Sequence, residues 1–530
     1  MPILQANQIS YQFADGERLF ADISVTLQHR RVGLVGRNGS GKSLLARLLL
    51  GELSPTSGHV VRLASALSYS QLSSDLLNRQ VSIAHFLDLE SALHALAQIE
   101  SGSCDDKWFE RLGERWCLKQ DLEAELSAMG LPADVFFPCA QLSGGQLAKL
   151  KLWKLFQSEA QLLVLDEPSN HLDHPGRLWL CEQLRQFQGH VLLISHDRLL
   201  LRQMEQIWEL SSLGLTQFGG NYDHYSEQKQ QQVAAIERQL DSVHKQQKAL
   251  QRQTQLNKEK ANQRAAQGMK ARRSGSQPKI ILNGLRDKAT LSSSHRLKNE
   301  AGRSARLQQK EQTLQSRQDQ GYDYKFYMDS APQKGGQLLS IVAGELPFVH
   351  TQPIHLQLCH GDKVWLQGDN GCGKSTLLKV IQGKQVLLEG SCQVNVPVYY
   401  LDQHFALLPT HLSMLEAMQQ MCSGMSESDA RTLLAGIGMR RDDVYRRVEQ
   451  LSGGEKMKLA MLIVSHQANA PLLLLDEPDN HLDLDAKTLL AKTLAQYRGA
   501  LILVSHDHEF VNQVNVTGRY CLALPDKPHR

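Results

Sequence analysis

Two runs of consecutive apolar residues, far apart in the chain, end in the same acidic pair. Residues 162–165 and 472–475 are all leucine or valine, and Asp-Glu follows in both places. An apolar run of this length, stopped by acid and proline, predicts a parallel strand buried on both faces with carboxylates at its carboxyl end. Ligands of open α/β sheets bind outside the carboxyl ends of the strands. A ligand site is therefore expected at each acidic pair.

Each run lies in a longer stretch that occurs twice. Residues 142–173 read LSGGQLAKLKLWKLFQSEAQLLVLDEPSNHLD, and residues 451–483 read LSGGEKMKLAMLIVSHQANAPLLLLDEPDNHLD. Both copies open with a Ser-Gly-Gly turn and continue with apolar residues at helical spacing. A glycine-rich sequence precedes each copy, GRNGSGKS and GDNGCGKS, and Ser-His-Asp follows each copy. The ordered repetition predicts two similar α/β domains.

The glycine-rich sequences fit a phosphate loop. The first follows a strand predicted at residues 31–35 and precedes a helix predicted at residues 44–50, the context that a phosphate loop requires. Loop N–H groups and the helix N-terminus bind phosphate, the lysine reaches the β- and γ-phosphates, and the serine after it ligates Mg²⁺. The loop residues predicted to bind the nucleotide are Gly36, Arg37, Asn38, Gly39, Ser40, Gly41, Lys42, Ser43, Gly368, Asp369, Asn370, Gly371, Cys372, Gly373, Lys374, Ser375 and Thr376. Leu44 stands where the second loop has Thr376, so one phosphate contact is expected to be missing in the first site.

Phosphate loop, LSGG sequence, Asp-Glu strand end and histidine, in this order and twice, resemble two ATP-binding cassettes of the ABC superfamily. The sequences DEPSNHLD and DEPDNHLD, two cassettes on one chain and a long polar linker resemble the ABC-F subfamily in particular. The resemblance covers essentially the whole chain. It implies a soluble, cytoplasmic ATPase that uses ATP and Mg²⁺ and acts on ribosomes, as a translation factor or by protecting them against antibiotics.

The resemblance also implies roles for residues outside the phosphate loops. Glu167 and Glu477 orient or deprotonate the attacking water. His196 and His506 sense the γ-phosphate. Phe13 lies where the family places an aromatic that stacks on adenine, although an ordinary strand residue is the alternative. The implied Mg²⁺ ligands are Ser43, Gln71, Asp166, Ser375, Gln403 and Asp476.

Each LSGG turn is implied to complete the site of the opposite cassette. The first turn serves the phosphate loop of the second cassette, and the second turn serves the loop of the first. Two ATP molecules would then be held between the cassettes. The residues involved are Ser143, Gly144, Gly145, Ser452, Gly453 and Gly454.

Composition argues against several classes of protein. Hydrophobic residues make up 42% and charged residues 21%, which is ordinary for a globular protein. No apolar run approaches the roughly 18–20 residues that a membrane-spanning helix needs, and the N-terminus lacks the pattern of a signal peptide. The nine cysteines form no C-x-x-C pair, which argues against a zinc site and a disulfide framework. We therefore expect a cytoplasmic protein with no membrane contact.

Charge is unevenly distributed along the chain. The net charge is +3, but residues 226–337 carry 22 Lys or Arg against 10 Asp or Glu, and residues 245–310 carry 17 against 3. An acidic body with a basic arm is typical of proteins that bind nucleic acid. The basic residues near the middle of this arm are Lys270, Arg272, Arg273, Lys279, Arg286 and Lys288.

Apolar residues in the same segment follow a heptad spacing. They are Val233, Ile236, Leu240, Val243, Leu250, Leu307 and Leu314. The spacing predicts two antiparallel helices with a basic tip between them. A disordered charged linker is the alternative.

The expected fold class is α/β, with two tandem ABC-type nucleotide-binding domains of the P-loop NTPase type joined by a helical, antiparallel coiled-coil linker. The expected division is residues 1–225 for the first cassette, 226–337 for the basic linker and 338–530 for the second cassette. The phosphate-loop lysines are offset by 332 residues and the LSGG serines by 309. The first cassette therefore has an insertion of some 23 residues, with helices expected at residues 83–99 and 108–129.

Three functions are compatible with these features. The favoured one is ribosome binding through the basic linker, gated by two ATP molecules between the cassettes of a monomer, with hydrolysis driving release. ATP-dependent DNA binding or repair is the alternative. The ATPase subunit of a transporter is disfavoured, because the cassettes are fused and no membrane segment is found.

Overall fold

The structure of the chain is a computed structural model. At residues 264, 265, 268, 269 and 271–273 the structure describes only the backbone. The described residues are 3–14, 16, 18–69, 81–170, 172–211, 213–273, 298–315, 336–348, 352–369, 371–402, 405–422, 424–439, 441–467, 471–480 and 482–522.

The first cassette contains two sheets. Alternating residues of an antiparallel sheet, such as Ile9 and Ile23, are buried, as expected when one face packs on a core. Its strands lie in the order Arg18–Leu27, Leu4–Gln12 and Ser57–Arg62. The second sheet is parallel except for its last pair of strands, and its inner strands are continuous apolar runs. Its strands lie in the order Ala66–Tyr69, Leu162–Asp166, His190–Ile194, Arg31–Gly36, Gln206–Ser211 and Gly214–Gly219.

This strand order brings three motifs to one edge of the sheet. The strand that enters the phosphate loop pairs in parallel with the strand that precedes Ser-His-Asp. The latter pairs in parallel with the strand that ends in Asp166. Because the three strands run in the same direction, their carboxyl ends, and the motifs attached to them, lie together.

Helices cover this sheet and form the insertion. They span Lys42–Leu50, Ile83–Phe86, Glu90–Glu100, Asp106–Leu112, Leu118–Ala128, Gly144–Phe156, His174–Gln186 and Arg198–Leu201, with a 3-10 helix at Cys139–Gln141. The helices predicted at residues 83–99 and 108–129 are each broken in two. Asp88 (φ 61°) lies between the first two insertion helices, and Gly113 (φ 58°) lies between the last two. A residue with positive φ cannot continue a right-handed helix.

The second cassette repeats the architecture. Its antiparallel sheet has the order Ile354–Cys359, Gln337–Gly344 and Ser391–Val394. Its parallel sheet has the order Val398–Leu401, Leu472–Asp476, Leu501–Val504, Lys363–Gln367 and Gly518–Cys521. Its helices span Lys374–Ile381, Met414–Met421, Glu427–Gly436, Gly453–Ser465, Leu484–Gln496 and His508–Val514, with 3-10 helices at Arg441–Tyr445 and Val448–Gln450.

The linker is a helical hairpin. Its first helix spans Tyr222–Arg273 and its second spans residues 298–315. Asn257 hydrogen-bonds Glu300 and Gln247 hydrogen-bonds Glu311, so a higher number in one helix meets a lower number in the other and the pair is antiparallel. Three heptad leucine and valine residues are buried between the helices, with two more packed against them: Leu240, Val243 and Leu314, then Ile236 and Leu307.

The hairpin agrees with the predicted fold class, with one correction. Val233 and Leu250, both part of the predicted heptad, lie outside this cluster, and Val233 is 38% exposed. The basic residues Lys279, Arg286 and Lys288 lie outside the described residues, and so do the side chains of Arg272 and Arg273.

The chain divides into two compact units. Met1–Tyr225 and Tyr324–Arg530 form one unit, which contains both cassettes, and Ser226–Asp323 forms the other. The finer division at residues 225 and 337 stays a prediction. Across the described part of the chain, no helix combines the length and the apolar character needed to cross a membrane.

Candidate functional site

Both phosphate loops are shaped by glycine. Gly41 and Gly373 are the N-caps of the helices that follow the loops, with φ angles of 91° and 98°. A side chain disfavours this left-handed conformation, and a Cβ atom on Gly41 would lie 2.5 Å from the side chain of Leu19. Glycine at these two positions therefore allows the tight turn that leads from each loop into a helix N-terminus, which suits an anion.

A lysine folds back into each loop. The ammonium group of Lys42 donates hydrogen bonds to the carbonyl oxygens of Gly36 (2.8 Å) and Arg37 (2.9 Å). Lys374 makes the equivalent two bonds in the second loop, at 2.7 and 3.0 Å. Because an ammonium group carries three protons, each lysine retains one for a phosphate oxygen.

The first loop also contains an unsatisfied polar group. The hydroxyl of Ser40 is buried and has no hydrogen-bond partner among the residues described here. Burial lowers the pKa of Lys42, while the carboxylates of Glu167, Asp483 and Asp166 oppose this effect. A buried cation beside an unsatisfied donor fits a bound phosphate.

Four of the six predicted magnesium ligands pair beside the phosphate loops: Ser43 with Asp166 and Ser375 with Asp476. Asp476 accepts hydrogen bonds of 2.9 Å from the hydroxyls of Ser375 and Tyr400, and Asp166 accepts one from Ser43. Each cassette thus brings one carboxylate and one hydroxyl together, and both groups supply oxygen ligands. Mg²⁺ is commonly held by one or two carboxylates together with substrate phosphates. The residues present therefore fit a Mg²⁺ ion that arrives with ATP.

The two glutamates lie at strained positions. Glu167 (φ 47°) and Glu477 (φ 50°) have left-handed backbones, which non-glycine residues rarely adopt and which cluster at functional sites. The backbone N–H of each donates to the last residue of the neighbouring strand, Ile194 (2.8 Å) or Val504 (2.9 Å). This bond fixes the turn, and the turn points the chain away from the sheet directly after the aspartate.

Each glutamate faces the histidine of its own cassette. His196 Nε2 lies 3.7 Å from a Glu167 carboxylate oxygen, and His506 Nε2 lies 3.4 Å from a Glu477 carboxylate oxygen. The side-chain amide of Asn480 also donates to Glu477. Within the described residues, one carboxylate oxygen of Glu167 is buried without a hydrogen bond. The second glutamate is therefore held more firmly than the first.

The environments shift the pKa values of the two glutamates in opposite directions. Burial raises the pKa of Glu167 to about 7, against the opposing charges of Lys487 and Lys42. Burial also raises the pKa of Glu477, but His506 and other positive neighbours lower it more, so that its net pKa lies below the ordinary value. Burial and two lysine charges hold the pKa of His196 well below its ordinary value, so this imidazole is neutral.

The LSGG turns begin helices. Ser143 and Ser452 are the N-caps of Gly144–Phe156 and Gly453–Ser465, which we call the signature helices, and both form a capping box. The box partner is Gln146 in the first helix and a glutamate in the second. The glycines occupy the first turn, where the helix presents free N–H groups to an anion.

Contacts between the cassettes place the second signature helix near the first phosphate loop. The backbone N–H of Asn38 donates to Asp483 of the second cassette (3.2 Å), and the guanidinium group of Arg37 lies 3.9 Å from Asp485. Burial and the positive charge of Arg37 lower the pKa of Lys458, which lies on the second signature helix. The first phosphate loop is thus bordered by the opposite cassette, while completion of the site by the second LSGG turn stays a prediction.

The structure assigns no contact in an ATP site to four of the predicted residues. Gln71, Asn370 and Gln403 lie outside the described residues. Phe13 is 38% exposed and its ring contacts Tyr11 edge to face at 5.5 Å, so one face is accessible. Its role in stacking on adenine stays a prediction.

The sequence reasoning missed three kinds of residue. Tyr400 and Asn480 hold the acids of the second site through hydrogen bonds. Lys487 of the second cassette reaches His196 of the first and donates to its carbonyl oxygen (3.2 Å). Arg177 and Lys487 are offset by 310 residues, the offset of the two histidines, and this signal was present in the sequence.

Comparison with known proteins identifies the family. The family model described as ABC transporter matches residues 20–170 and 351–480, more than half of the chain. The putative ATP-binding protein YdiF of Bacillus subtilis (strain 168) is 30% identical, over 97% of this chain and 79% of its own length. The chain belongs to the ABC-F family of ATP-binding cassette proteins. It is an ATPase, and the resemblance seen in the sequence is confirmed.

Further similarities of this ABC-F protein agree with the assignment. The ribosome protection protein VmlR of Bacillus subtilis (strain 168) is 27% identical, over 96% of this chain and 85% of the relative. ABC transporter F family member 5 of Arabidopsis thaliana is 28% identical, over 91% of this chain and 70% of the relative. A solved structure of RNase-L inhibitor has a TM-score of 0.55 over 96% of this chain and 86% of its own, at 17% identity, which shows a shared fold.

We predict that Tyr400→Phe weakens the magnesium site of the second cassette. The change removes one of the two hydroxyl groups that donate to Asp476 and should raise the Mg²⁺ concentration needed for half-maximal ATPase activity, roughly tenfold for that site. Tyr399→Phe, one residue earlier in the same strand, is the matched control. An unchanged Mg²⁺ dependence in Tyr400→Phe would show that the hydroxyl has no such role.

We also predict that two single changes in the nucleotide-free protein differ in their pH dependence. Because the pKa of Glu167 is raised from 4.5 to about 7, the folded state binds more protons than the unfolded state between these pH values, and stability falls as pH rises. Glu167→Gln removes this fall in stability. The melting temperature of the variant minus that of wild type should therefore increase from pH 5 to pH 8.

Glu477→Gln is the control for this measurement. The pKa of Glu477 is lowered, so its stabilising contribution is present above its ordinary pKa of 4.5 and disappears only in more acidic solution. Its melting temperature relative to wild type should stay nearly constant from pH 5 to pH 8. The same upward trend in both variants would contradict the assigned environments.

Proposed function

We propose that this ABC-F ATPase binds the ribosome while two ATP molecules are held between its cassettes, and that ATP hydrolysis drives release. The observation that supports this best is the bond from Asn38 in the first phosphate loop to Asp483 of the second cassette. This contact between the first phosphate loop and the second cassette supports a composite site within one chain. Translation factor and ribosome protection are both consistent with this proposal.

Closure of the two cassettes around ATP would follow from electrostatics. A triphosphate in the first loop meets N–H groups and Lys42 on one side and the N-terminus of the second signature helix on the other. Helix N-termini attract anions, and the attraction is strong only at short range. Glu455, in the first turn of that helix, would repel phosphate, but Arg446 lies 3.1 Å from its carboxylate and compensates the charge. ATP would thus hold the cassettes together, and loss of the γ-phosphate would release them.

The chemistry is assigned to residues at the strand ends. Mg²⁺ held by Asp166 or Asp476 would neutralise charge on the phosphates. The following glutamate would orient the attacking water and accept its proton, and general bases of this kind typically contribute about 10²–10⁴-fold to the rate. The neutral imidazole of His196 can donate a hydrogen bond to the γ-phosphate, and protonated histidine is not needed for this.

The ribosome is proposed from two observations. VmlR, which matches this chain over nearly its whole length, is a ribosome protection protein. The linker hairpin carries a large excess of Lys and Arg, which suits a partner with a phosphate backbone. A DNA partner has the same charge, and it is an outcome of the tests below.

We predict that replacing Glu167 and Glu477 together by Gln traps the protein on ribosomes. ATP and Mg²⁺ should still bind, because Gln is nearly the same size and the aspartates are intact, while ATPase activity should fall about 10²–10⁴-fold. Sedimentation with ribosomes in the presence of ATP should retain the variant where the wild type is released.

A matched double change separates this effect from loss of acidic charge. Glu159 and Glu389 are exposed and lie one in each cassette. Their replacement by Gln should leave activity and release unchanged. Near-normal turnover in the Glu167 and Glu477 variant would contradict the roles of these residues, and retention on duplex DNA but not on ribosomes would favour the DNA alternative.

We predict that the basic tip of the linker contributes counterion release. Changing Lys270, Arg272, Arg273 and Lys279 to Gln should weaken ribosome binding and flatten its salt dependence, by roughly 0.7–0.9 log units per lost phosphate contact for each tenfold rise in salt. Basal ATPase activity should be unaffected. The measurement is binding of wild type and variant across a salt series.

The control carries the same charge change at the other end of the hairpin. Arg238, Lys245, Lys248 and Lys310 are exposed. If the tip contacts RNA, their replacement by Gln should change the salt slope less than the tip variant does. Equal slopes for wild type and tip variant would mean that the linker is only a tether.

A further inference from the structure

Lys487 is a buried cation at the contact between the cassettes. It is 6% exposed and lies on helix Leu484–Gln496 of the second cassette. Its ammonium group donates a hydrogen bond to the carbonyl oxygen of His196 in the first cassette (3.2 Å), and it lies 3.7 Å from a carboxylate oxygen of Asp507 in the second. One side chain therefore touches the histidine segments of both ATP sites.

Both partners of Lys487 are rigidly placed. His196 lies two residues after the end of the buried strand His190–Ile194 and is itself 6% exposed. Asp507 follows His506 and is the N-cap of helix His508–Val514, where it accepts hydrogen bonds of 3.0 Å from the N–H groups of Glu509 and Phe510. A shift of either histidine segment must therefore move Lys487 or break one of its contacts.

Desolvation makes these contacts consequential. A buried ammonium group is costly unless it is paired and hydrogen-bonded, so removing one partner leaves an uncompensated charge. Two arrangements are favourable: both contacts made together, or the interface opened to water. Lys487 is therefore expected to keep or lose its two contacts together, so that it links the two sites.

Arg177 occupies the corresponding position in the first cassette but bonds differently. Its guanidinium group donates to the carbonyl oxygen of Leu172 (3.2 Å) and pairs with Asp197 (3.2 Å), both of the first cassette. The bond that Lys487 makes across the interface thus distinguishes it from its counterpart. The charge of Arg177 also acts on the second cassette, where it lowers the pKa values of Glu477 and Asp507, but the two bonds named above stay within the first cassette.

We propose that Lys487 is a positioning residue that couples the two ATP sites, by holding the His196 segment of the first site and the Asp507 segment of the second in one arrangement. The proposal rests on the roles proposed above for the two histidines. Occupancy of the second site fixes His506 and hence Asp507, which keeps Lys487 in place to hold His196 against the first nucleotide. By linkage, occupancy of the first site favours the second to the same extent.

The test is the ATP dependence of hydrolysis by the full chain without ribosomes. Wild type should show a Hill coefficient above 1, Lys487→Met a value near 1, and Lys487→Arg, which keeps the cation, an intermediate or wild-type value. Lys492→Met, five residues along the same helix and exposed, should behave as wild type. Ribosome binding does not enter this measurement, so its failure and that of the proposed function are distinguishable.

A second arm separates coupling from a purely structural role. Lys374→Ala disables the second site, and in an otherwise wild-type chain it should raise the KM of the remaining site, by roughly 5- to 150-fold if the coupling is of the usual size. In the Lys487→Met background the same change should have little effect on KM. If Lys487→Met does not fold, as judged by circular dichroism, Lys487→Gln takes its place.

Three outcomes would overturn the proposal. A Hill coefficient of 1 in wild type would mean that there is no coupling to transmit. An unchanged Hill coefficient in Lys487→Met with a lower kcat would assign the residue to structure alone. Equal effects of Lys374→Ala on KM in the two backgrounds would show that the coupling takes another route.

Discussion

The end of a buried parallel strand fixes the position of nearly every chemical group in this protein. A strand covered on both faces has no freedom to slide, so Asp166 and Asp476 are held by the sheet. The backbone then turns through a left-handed glutamate, locked by a bond from its N–H to the adjacent strand. Because the neighbouring parallel strands lead to the histidine and to the phosphate loop, one edge of each sheet collects the aspartate, the glutamate, the histidine and the lysine.

The two cassettes share this frame and differ in what surrounds it. Tyr400 and Asn480 give the second site two hydrogen bonds to its acids. In the first cassette Ser68 aligns with Tyr400, and its hydroxyl donates instead to Glu52 at 3.3 Å. Burial without matching hydrogen bonds raises the pKa of the first glutamate, whereas a closer histidine lowers that of the second. Duplication has thus preserved the positions of the groups but not their electrostatics.

The contact between the cassettes includes charged pairs, some of them buried. Glu509 of the second cassette pairs with Arg198 (3.1 Å) and Arg202 (2.7 Å) of the first. Lys487 adds its bond to His196. Arg198 and Lys487 are buried and have lost their water, so each is stable only while its partner stays in place. An interface of this kind distinguishes closed from open arrangements sharply, which suits a protein whose proposed cycle depends on closing around ATP.

The sequence alone determined the elements with strong local signals. Four consecutive apolar residues before Asp-Glu, glycines before Lys-Ser and a repeated order of motifs specify strand, loop and helix locally, so the α/β fold and the family followed from them. Heptad spacing gave the helical hairpin for the same reason, although Val233 lies outside its core. The insertion helices were predicted too long, because the positive φ of Asp88 and Gly113 is not visible in a hydrophobic pattern. Only the tertiary structure decided which side chains meet across the chain: Tyr400 with Asp476, Asn38 with Asp483, and Lys487 with both histidine segments. The bonds of Tyr400 to Asp476, Lys487 to His196 and Asn38 to Asp483 join residues 76 to 445 positions apart. No local propensity encodes them, since they arise from the order in which the strands and the two cassettes come together.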